Sequence, residues 1–149
     1  MQKMLVCLGL GVSLSLGLAL SPGVAHAQGA GASEATLAAW YKALEAANIE
    51  TLESLMAPED AHPFQFEIVD LAVSQNRAEF IDSMAEWVGA IDGGAIEYKI
   101  TGQNASSMTT RVCYRFPENN FMAEEIIGLA NARITGVKQE SKGDQCDGF

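Results

Sequence analysis

The sequence predicts an α+β domain in which helices pack on a curved, mostly antiparallel sheet. Apolar residues recur with helical spacing over 33–57 and 76–91. From residue 95 onward, apolar and polar residues alternate with a period of two, which is typical of strands with one buried face. Helices that precede such strands pack together on one face of the sheet. We therefore expect a cone, with a pocket between the sheet and the first helix.

The first helical segment covers residues 33–57. Ser33 is the predicted N-cap, and Asn48 interrupts the pattern, so the segment is either two consecutive helices or one bent helix. Pro58 ends it. The first apolar stripe consists of Leu37, Trp40, Tyr41 and Leu44, at positions i, i+3, i+4 and i+7.

A short strand and a second helical segment follow. Residues 64–70 alternate, and a period of two places Asp70 on the same face as the apolar residues of the strand. Asn76 and Glu79 have the spacing of a capping box, so a helix is predicted to begin there. Gly93-Gly94 ends it.

The last third of the chain predicts four strands, over residues 96–101, 108–116, 121–130 and 133–141. Asn131-Ala132 is the predicted turn of a tight hairpin, because asparagine tolerates positive φ. Apolar residues lie on both faces of 121–130, so Glu124 or Glu125 can point inward, but not both. The alternative is that both are exposed and serve solubility. No internal repeat and no second domain are visible.

Composition limits the partners. A chain of 149 residues with 48% hydrophobic residues can build one domain with a substantial core. The formal net charge of −10 argues against nucleic acid or an anionic membrane surface as the main partner. The sequence has no metal-ligand spacing and no phosphate-binding loop, so no cofactor and no metal are expected.

Residues 1–27 have the pattern of a secretory signal peptide. Lys3 precedes the apolar run Met4–Leu20, and Ala25-His26-Ala27 is a small-x-small cleavage site. We expect a bacterial, Sec-type export to the periplasm or the medium, with no membrane attachment after cleavage. An uncleaved membrane anchor is the alternative. Residues 28–32 are predicted to be a loose leader, and 33–149 a single domain.

Two cysteines, Cys113 and Cys146, remain after that cleavage. An even pair in an exported protein predicts a disulfide. A loop of this length would contribute roughly 3–4 kcal/mol to stability in the chain-entropy model. The alternatives are two free thiols or a metal pair.

Three segments resemble the nuclear transport factor 2-like superfamily, which includes SnoaL-like proteins, ketosteroid isomerase and scytalone dehydratase. They are Ala39–Leu52, Asn76–Phe80 and Ala130–Val137, and the resemblance extends over 33–141. It implies a cone-shaped α+β fold and a homodimer formed through the open face of the sheet. It does not select an activity, because this fold contains enzymes, ligand binders and dimerisation modules.

Three functions are compatible with such a cone. The first is binding of a small apolar or amphipathic molecule, or pairing with another chain. The second is a cofactor-free isomerase, lyase or hydrolase, with Asp70 as the base and Tyr41 as the phenol donor. The third is a structural subunit with a filled cone. His62 is a weaker catalytic candidate, and its alternative is a plain surface position. The alternative for Asp70 is that it ends the strand and either points to water or caps the following turn.

Seven aromatic residues are candidates for a ligand-binding wall, and their alternative role is ordinary core packing. They are Trp40, Tyr41, Phe66, Trp87, Tyr98, Tyr114 and Phe116. Which of Glu124 and Glu125 faces the cone is left open by the sequence. The resemblance to the isomerase lacks a second buried acid, because the strand before Asn131 reads Gly128-Leu129-Ala130.

Overall fold

The computed structural model describes residues 24–149. Most of the predicted signal peptide, including its whole apolar run, lies outside the described residues, so that peptide and its cleavage site stay predictions. Within residues 24–149, no helix combines the length and the apolar character needed to cross a membrane.

Within residues 24–149, three α-helices pack against one six-stranded curved sheet, which confirms the α+β prediction. The helices are α1 (Val24–Glu45), α2 (Ile49–Leu55) and α3 (Arg77–Ile91). The strands are β1 (Gln65–Ile68), β2 (Val73–Asn76), β3 (Ala95–Gln103), β4 (Ser107–Arg115), β5 (Asn120–Ala130) and β6 (Arg133–Gly143). Their spatial order is β2-β1-β6-β5-β4-β3. Every neighbouring pair is antiparallel except β1 and β6, which are parallel.

Helix α1 begins earlier than predicted. It starts at Val24, so the expected leader 28–32 is helical and Ser33 lies inside the helix. Residues 28–32 contain two glycines, which disfavour a helix, but no proline, so no residue there blocks the helical hydrogen bonds. The capping box of α3 is confirmed. The Glu79 backbone N–H donates to Asn76 Oδ1 at 3.1 Å, and the Asn76 backbone N–H donates to Glu79 Oε2 at 2.9 Å.

The chain departs from the predicted strand after Ile68. Residues Val69–Leu71 form one 3-10 turn, and Ala72 follows with a φ of +52°. The chain then returns as β2, which pairs with β1 at the edge of the sheet. The period-two prediction for Asp70 is therefore wrong, because the alternation ends with the strand. β2 itself was not predicted, since four residues carry too little periodicity.

The buried core lies between the helices and the inner face of the sheet. The apolar stripe predicted for α1 is buried, and α3 adds Phe80 and Met84. The sheet side of this core consists of Met108, Val112, Tyr114, Ala123, Ile127, Leu129, Ile134 and Val137.

Irregular pairing shapes the sheet. The β5–β6 register shifts between Gly128 and Leu129, and the β3–β4 register shifts near Ile100. Such bulges increase local twist and bend strands. Gly136 permits the close approach of β1 to β6, because a Cβ there would lie 2.7 Å from the Gln65 carbonyl oxygen.

The predicted disulfide between Cys113 and Cys146 is confirmed. It joins the middle of β4 to the C-terminal tail. Cys113 alternates with the inward-facing Val112 and Tyr114, so the bond lies on the outer face of the sheet.

Candidate functional site

A cavity of about 350 Å³ lies between α1, α3 and the inner face of the sheet. Its aromatic lining consists of Trp40, Phe66, Phe80, Trp87, Tyr114, Phe116 and Phe121. Its polar lining, apart from Tyr114, consists of Gln75, Ser83, Glu86, Glu125 and Gln139. Most of the wall is therefore apolar, with polar groups at a few positions.

Five of the seven aromatic residues singled out from the sequence line this cavity: Trp40, Phe66, Trp87, Tyr114 and Phe116. Tyr41 and Tyr98 are not among the lining residues. Their rings stack on each other with centroids 4.4 Å apart. Trp87 and Tyr114 pack edge to face in a T-shaped contact, with ring centroids 5.7 Å apart, so part of the wall is held by aromatic packing.

Glu125 is the acid that faces the cavity. It lies in the middle of β5, between the inward-facing Ala123 and Ile127, and its side chain is only 1% exposed. Glu124 lies on the opposite face, where Lys142 Nζ is 3.9 Å from its Oε1. Strand alternation therefore separates two adjacent glutamates into one buried and one solvent-facing carboxyl.

Three uncharged donors hold the Glu125 carboxyl. The Tyr41 hydroxyl donates to Oε2 at 2.9 Å, and the Tyr114 hydroxyl donates to Oε1 at 2.5 Å. Gln139 Nε2 donates to Oε1 at 2.7 Å. The donors come from α1, β4 and β6, so the position of the carboxyl depends on three separate elements. Thr110 Oγ1 lies 2.7 Å from the Tyr41 hydroxyl and extends the network.

Burial dominates the acid–base properties of this network. It raises the pKa of the Glu125 carboxyl, and the hydrogen bonds from Tyr114, Gln139 and Tyr41 act in the opposite direction. Burial, reinforced by the nearby Glu125 carboxyl, holds the pKa of both Tyr41 and Tyr114 well above 10. Both phenols are therefore protonated donors at neutral pH.

The arrangement can hold a proton or accept a hydrogen bond inside an apolar cavity. A carboxylate offers about four acceptor positions. Oε1 already receives two donors, and Oε2 receives one. Glu125, Tyr114 and Gln139 all line the cavity, so a bound molecule would meet an acid, a phenol and an amide together.

Asp70 and His62 lie elsewhere. Asp70 is exposed on the 3-10 turn after β1, where its Oδ2 accepts a hydrogen bond from the Ser141 backbone N–H at 2.6 Å. His62 is exposed in the loop between α2 and β1. Neither residue lines the cavity, so the structure does not bring Asp70 together with Tyr41.

Gln139 and Thr110 were not identified from the sequence. Both lie directly opposite Glu125 on the neighbouring strands. A tight turn at Asn131-Ala132 without a bulge would pair Glu125 with Lys138 instead. The bulge at Gly128/Leu129 shifts the pairing by one residue and brings Gln139 to the inner face.

Within the described part of the chain, no group of three or more His, Cys, Asp or Glu side chains is arranged to hold a metal ion.

Comparison with known proteins identifies the fold. No family model and no curated protein matches the sequence. A nuclear transport factor 2-like protein of unknown function from Burkholderia xenovorans is similar in structure, with a TM-score of 0.64 and 12% identity over 80% of this chain and 89% of that one. A protein from Kribbella flavida, provisionally named a ketosteroid isomerase, has a TM-score of 0.60 and 12% identity over 77% and 81% of the two chains.

An epoxide hydrolase from M. tuberculosis has a TM-score of 0.57 and 13% identity over 75% of this chain and 84% of that one. These likenesses show that the chain has the nuclear transport factor 2-like cone fold, as the sequence resemblance implied. At such low identity they show the fold and not an activity.

Proposed function

We propose that the protein binds a small, largely apolar molecule in the aromatic cavity, with one polar group of that molecule against Glu125. The observation that carries this proposal is a fully buried carboxyl that lines an apolar cavity and is held by donors from three elements. Ligand sites in proteins commonly combine apolar walls with a few placed polar groups.

The size of the cavity fits such an occupant. Its volume of about 350 Å³ lies at the lower end of the range for small-molecule pockets, roughly 300–1,000 Å³. Trp87, which is only partly buried, offers a flat aromatic surface on its wall. Burial of apolar ligand area against such surfaces would contribute about 25 cal/mol per Å² before the cost of association.

The energetics of Glu125 support a binding role over a purely structural one. Burial of a carboxyl is unfavourable, and an apolar side chain of similar volume often gives equal or greater stability. Three donors compensate part of this cost, but none of them is charged. Because the buried Glu125 carboxyl lowers stability, its place in the cavity favours a role in ligand recognition or catalysis.

Tryptophan fluorescence tests the proposal directly. The chain has two tryptophans, and both line the cavity, so all of its tryptophan emission reports on this site. Native mass spectrometry of protein purified from its own host should reveal a co-purifying molecule of a few hundred daltons. Added back to stripped protein, that molecule should change the emission saturably.

A matched pair of variants on α3 locates the binding site. Both Ala85 and Ala90 are exposed on this helix, but only Ala90 lines the cavity. Ala90→Phe should weaken binding at least about tenfold, while Ala85→Phe should leave it unchanged. Equal binding by both variants, or no ligand from native mass spectrometry and a broad small-molecule screen, would contradict the proposal.

A second candidate function is cofactor-free proton-transfer catalysis, as in an isomerase, lyase or hydrolase. It is favoured by the contact between Glu125 and Tyr114, an acid–base group and a phenol that line one cavity. Glu125 would accept a proton from the substrate. As it does so, the single O–H of Tyr114, which donates to Glu125 Oε1 in the resting site, would turn to the substrate oxygen on which charge develops. Here Glu125 and Tyr114 take the roles that the sequence suggested for Asp70 and Tyr41.

Glu125→Gln separates the two functions. It removes the proton acceptor and keeps the shape of the side chain. If the protein is an enzyme, turnover of its substrate should fall about 10²–10⁴-fold, since general acid–base groups typically contribute that much. If the protein is a binder, no turnover exists to be lost.

We also infer export and a homodimer. The disulfide in the described residues supports export, since such bonds persist in oxidising compartments. N-terminal sequencing of protein from the host would locate the cleavage site, expected after Ala27. Sedimentation would give the oligomeric state, and a monomer at all concentrations would contradict the dimer.

A further inference from the structure

We propose that the occupant of the cavity is a small apolar molecule that carries a protonated amine, with its ammonium group against the Glu125 carboxyl. This inference rests on the proposed binding function and adds the chemical class of the ligand. It depends on the charge of the wall, on the hydrogen-bonding state of Glu125 and on the aromatic surroundings.

The cavity wall is negative. Of the lining residues, Glu86 and Glu125 carry carboxyl groups, and among the residues described none of the lining side chains is Lys, Arg or His. The whole chain carries a formal net charge of −10, so its long-range field adds to the local one. This electrostatic setting disfavours an anionic ligand and attracts a cationic one.

The hydrogen bonds to Glu125 leave room for a further donor from the ligand. Tyr41, Tyr114 and Gln139 together provide three donors to its two oxygens, with a single one at Oε2. A carboxylate oxygen has two lone pairs, so one lone pair of Oε2 is left to accept a hydrogen bond. An ammonium N–H satisfies it with a charge-assisted bond, which is stronger than a bond from a neutral donor.

The ligand would also provide the charge that the network lacks. The groups that contact the Glu125 carboxyl are two phenols and one amide, all of them uncharged. A buried carboxylate is far less costly when an opposite charge accompanies it. The neighbouring rings of Trp87 and Tyr114 can add cation–π attraction to an ammonium in a desolvated site.

Three probes of one shape test the charge preference. 2-Phenylethylammonium, 2-phenylethanol and 3-phenylpropanoate share an aryl-ethyl body and end in a cationic, a neutral and an anionic group. Their affinities are measured at pH 8 by tryptophan fluorescence and by thermal shift, on the wild-type protein. We expect the ammonium to bind at least about tenfold more tightly than the alcohol, and the carboxylate to bind most weakly.

Two variants assign that preference to one residue. Glu125→Gln and Glu124→Gln change the net charge equally, but only Glu125 faces the cavity. Glu125→Gln should reduce the preference for the ammonium over the alcohol to within about threefold. Glu124→Gln should keep the wild-type preference.

The outcomes are distinct. If the alcohol binds as tightly as the ammonium to the wild-type protein, the amine inference is wrong and the proposed binding function stands. If the preference survives equally in both variants, overall charge causes it and the assignment to Glu125 is wrong. If none of the three probes changes fluorescence or melting temperature, the amine inference is wrong, and native mass spectrometry with the broad small-molecule screen decides the binding function.

Discussion

Glu125 and Gln139 lie directly opposite each other on β5 and β6, with Gln139 Nε2 2.7 Å from Glu125 Oε1. Both side chains reach the inner face of the sheet at the same level because the β5–β6 register shifts between Gly128 and Leu129. This cross-strand pair connects the shape of the sheet to the acid–base properties of the cavity. Changes to either residue should therefore be measurable in both stability and ligand binding.

Removal of the Gln139 amide should destabilise the protein. Gln139→Leu leaves Glu125 Oε1 with Tyr114 as its remaining donor, and a lost hydrogen bond to a buried polar group costs about 1–3 kcal/mol. Urea unfolding at pH 8 measures this loss. Gln75→Leu is the control, because Gln75 also lines the cavity but makes no contact with Glu125. Equal stability of the two variants would contradict the role given to Gln139.

Glu125 should make the protein less stable as the pH rises. Its pKa in the folded state is raised above the ordinary value near 4.5, so the folded protein binds more protons than the unfolded chain between these two values. Stability contributed by this group is therefore fully present below the unfolded pKa and is lost as the pH rises to the folded pKa.

Glu125→Gln removes this dependence. Relative to the wild type, the variant should become progressively more stable as the pH rises from 4.5 to 8, measured as the change in the free energy of unfolding. Glu124→Gln changes a carboxyl on the outer face and should show no such gain. A wild type and a Glu125→Gln variant with parallel stability curves would contradict the raised pKa.

We expect Tyr41 to affect mainly stability, and Tyr114 to affect both stability and ligand binding. Tyr41→Phe removes the donor to Glu125 Oε2 and the contact with Thr110, at a cost of about 1–3 kcal/mol, but Tyr41 does not line the cavity. Tyr114→Phe removes a donor that does line it. Chemical unfolding and fluorescence titration on both variants should therefore give similar losses of stability, with a larger loss of affinity for Tyr114→Phe.

The disulfide should stabilise the fold without changing the cavity. The double variant Cys113→Ser, Cys146→Ser is expected to lose roughly 3–4 kcal/mol of stability, from a sequence separation of 33 residues. Its ligand affinity under native conditions should match that of the wild type, because the bond lies on the outer face. A thiol assay on unfolded, unreduced wild-type protein should detect neither Cys113 nor Cys146.

Much of the fold could be predicted because its signals are local. Helix periodicity over 76–91, the Asn76–Glu79 capping box and the alternation after residue 95 each depend on neighbours in the chain. Val73–Asn76 escaped prediction because so short a strand is specified by its partner β1 rather than by its own pattern. Asp70 was predicted on the wrong face because the strand before it ends at a turn that has no strong sequence signal.

The site itself depended on long-range pairing. By itself, the sequence determined an acidic chain with strong apolar periodicity, a capped third helix and an even pair of late cysteines, because these follow from residue type and spacing. The choice of Glu125 over Glu124 as the inward acid was decided only in the tertiary structure. It required the curvature of β5, the bulge that aligns Gln139, and the arrival of Tyr41 from a helix 84 residues away in the chain. A one-residue change in strand register exchanges the two faces of a strand, and no local pattern contains that information.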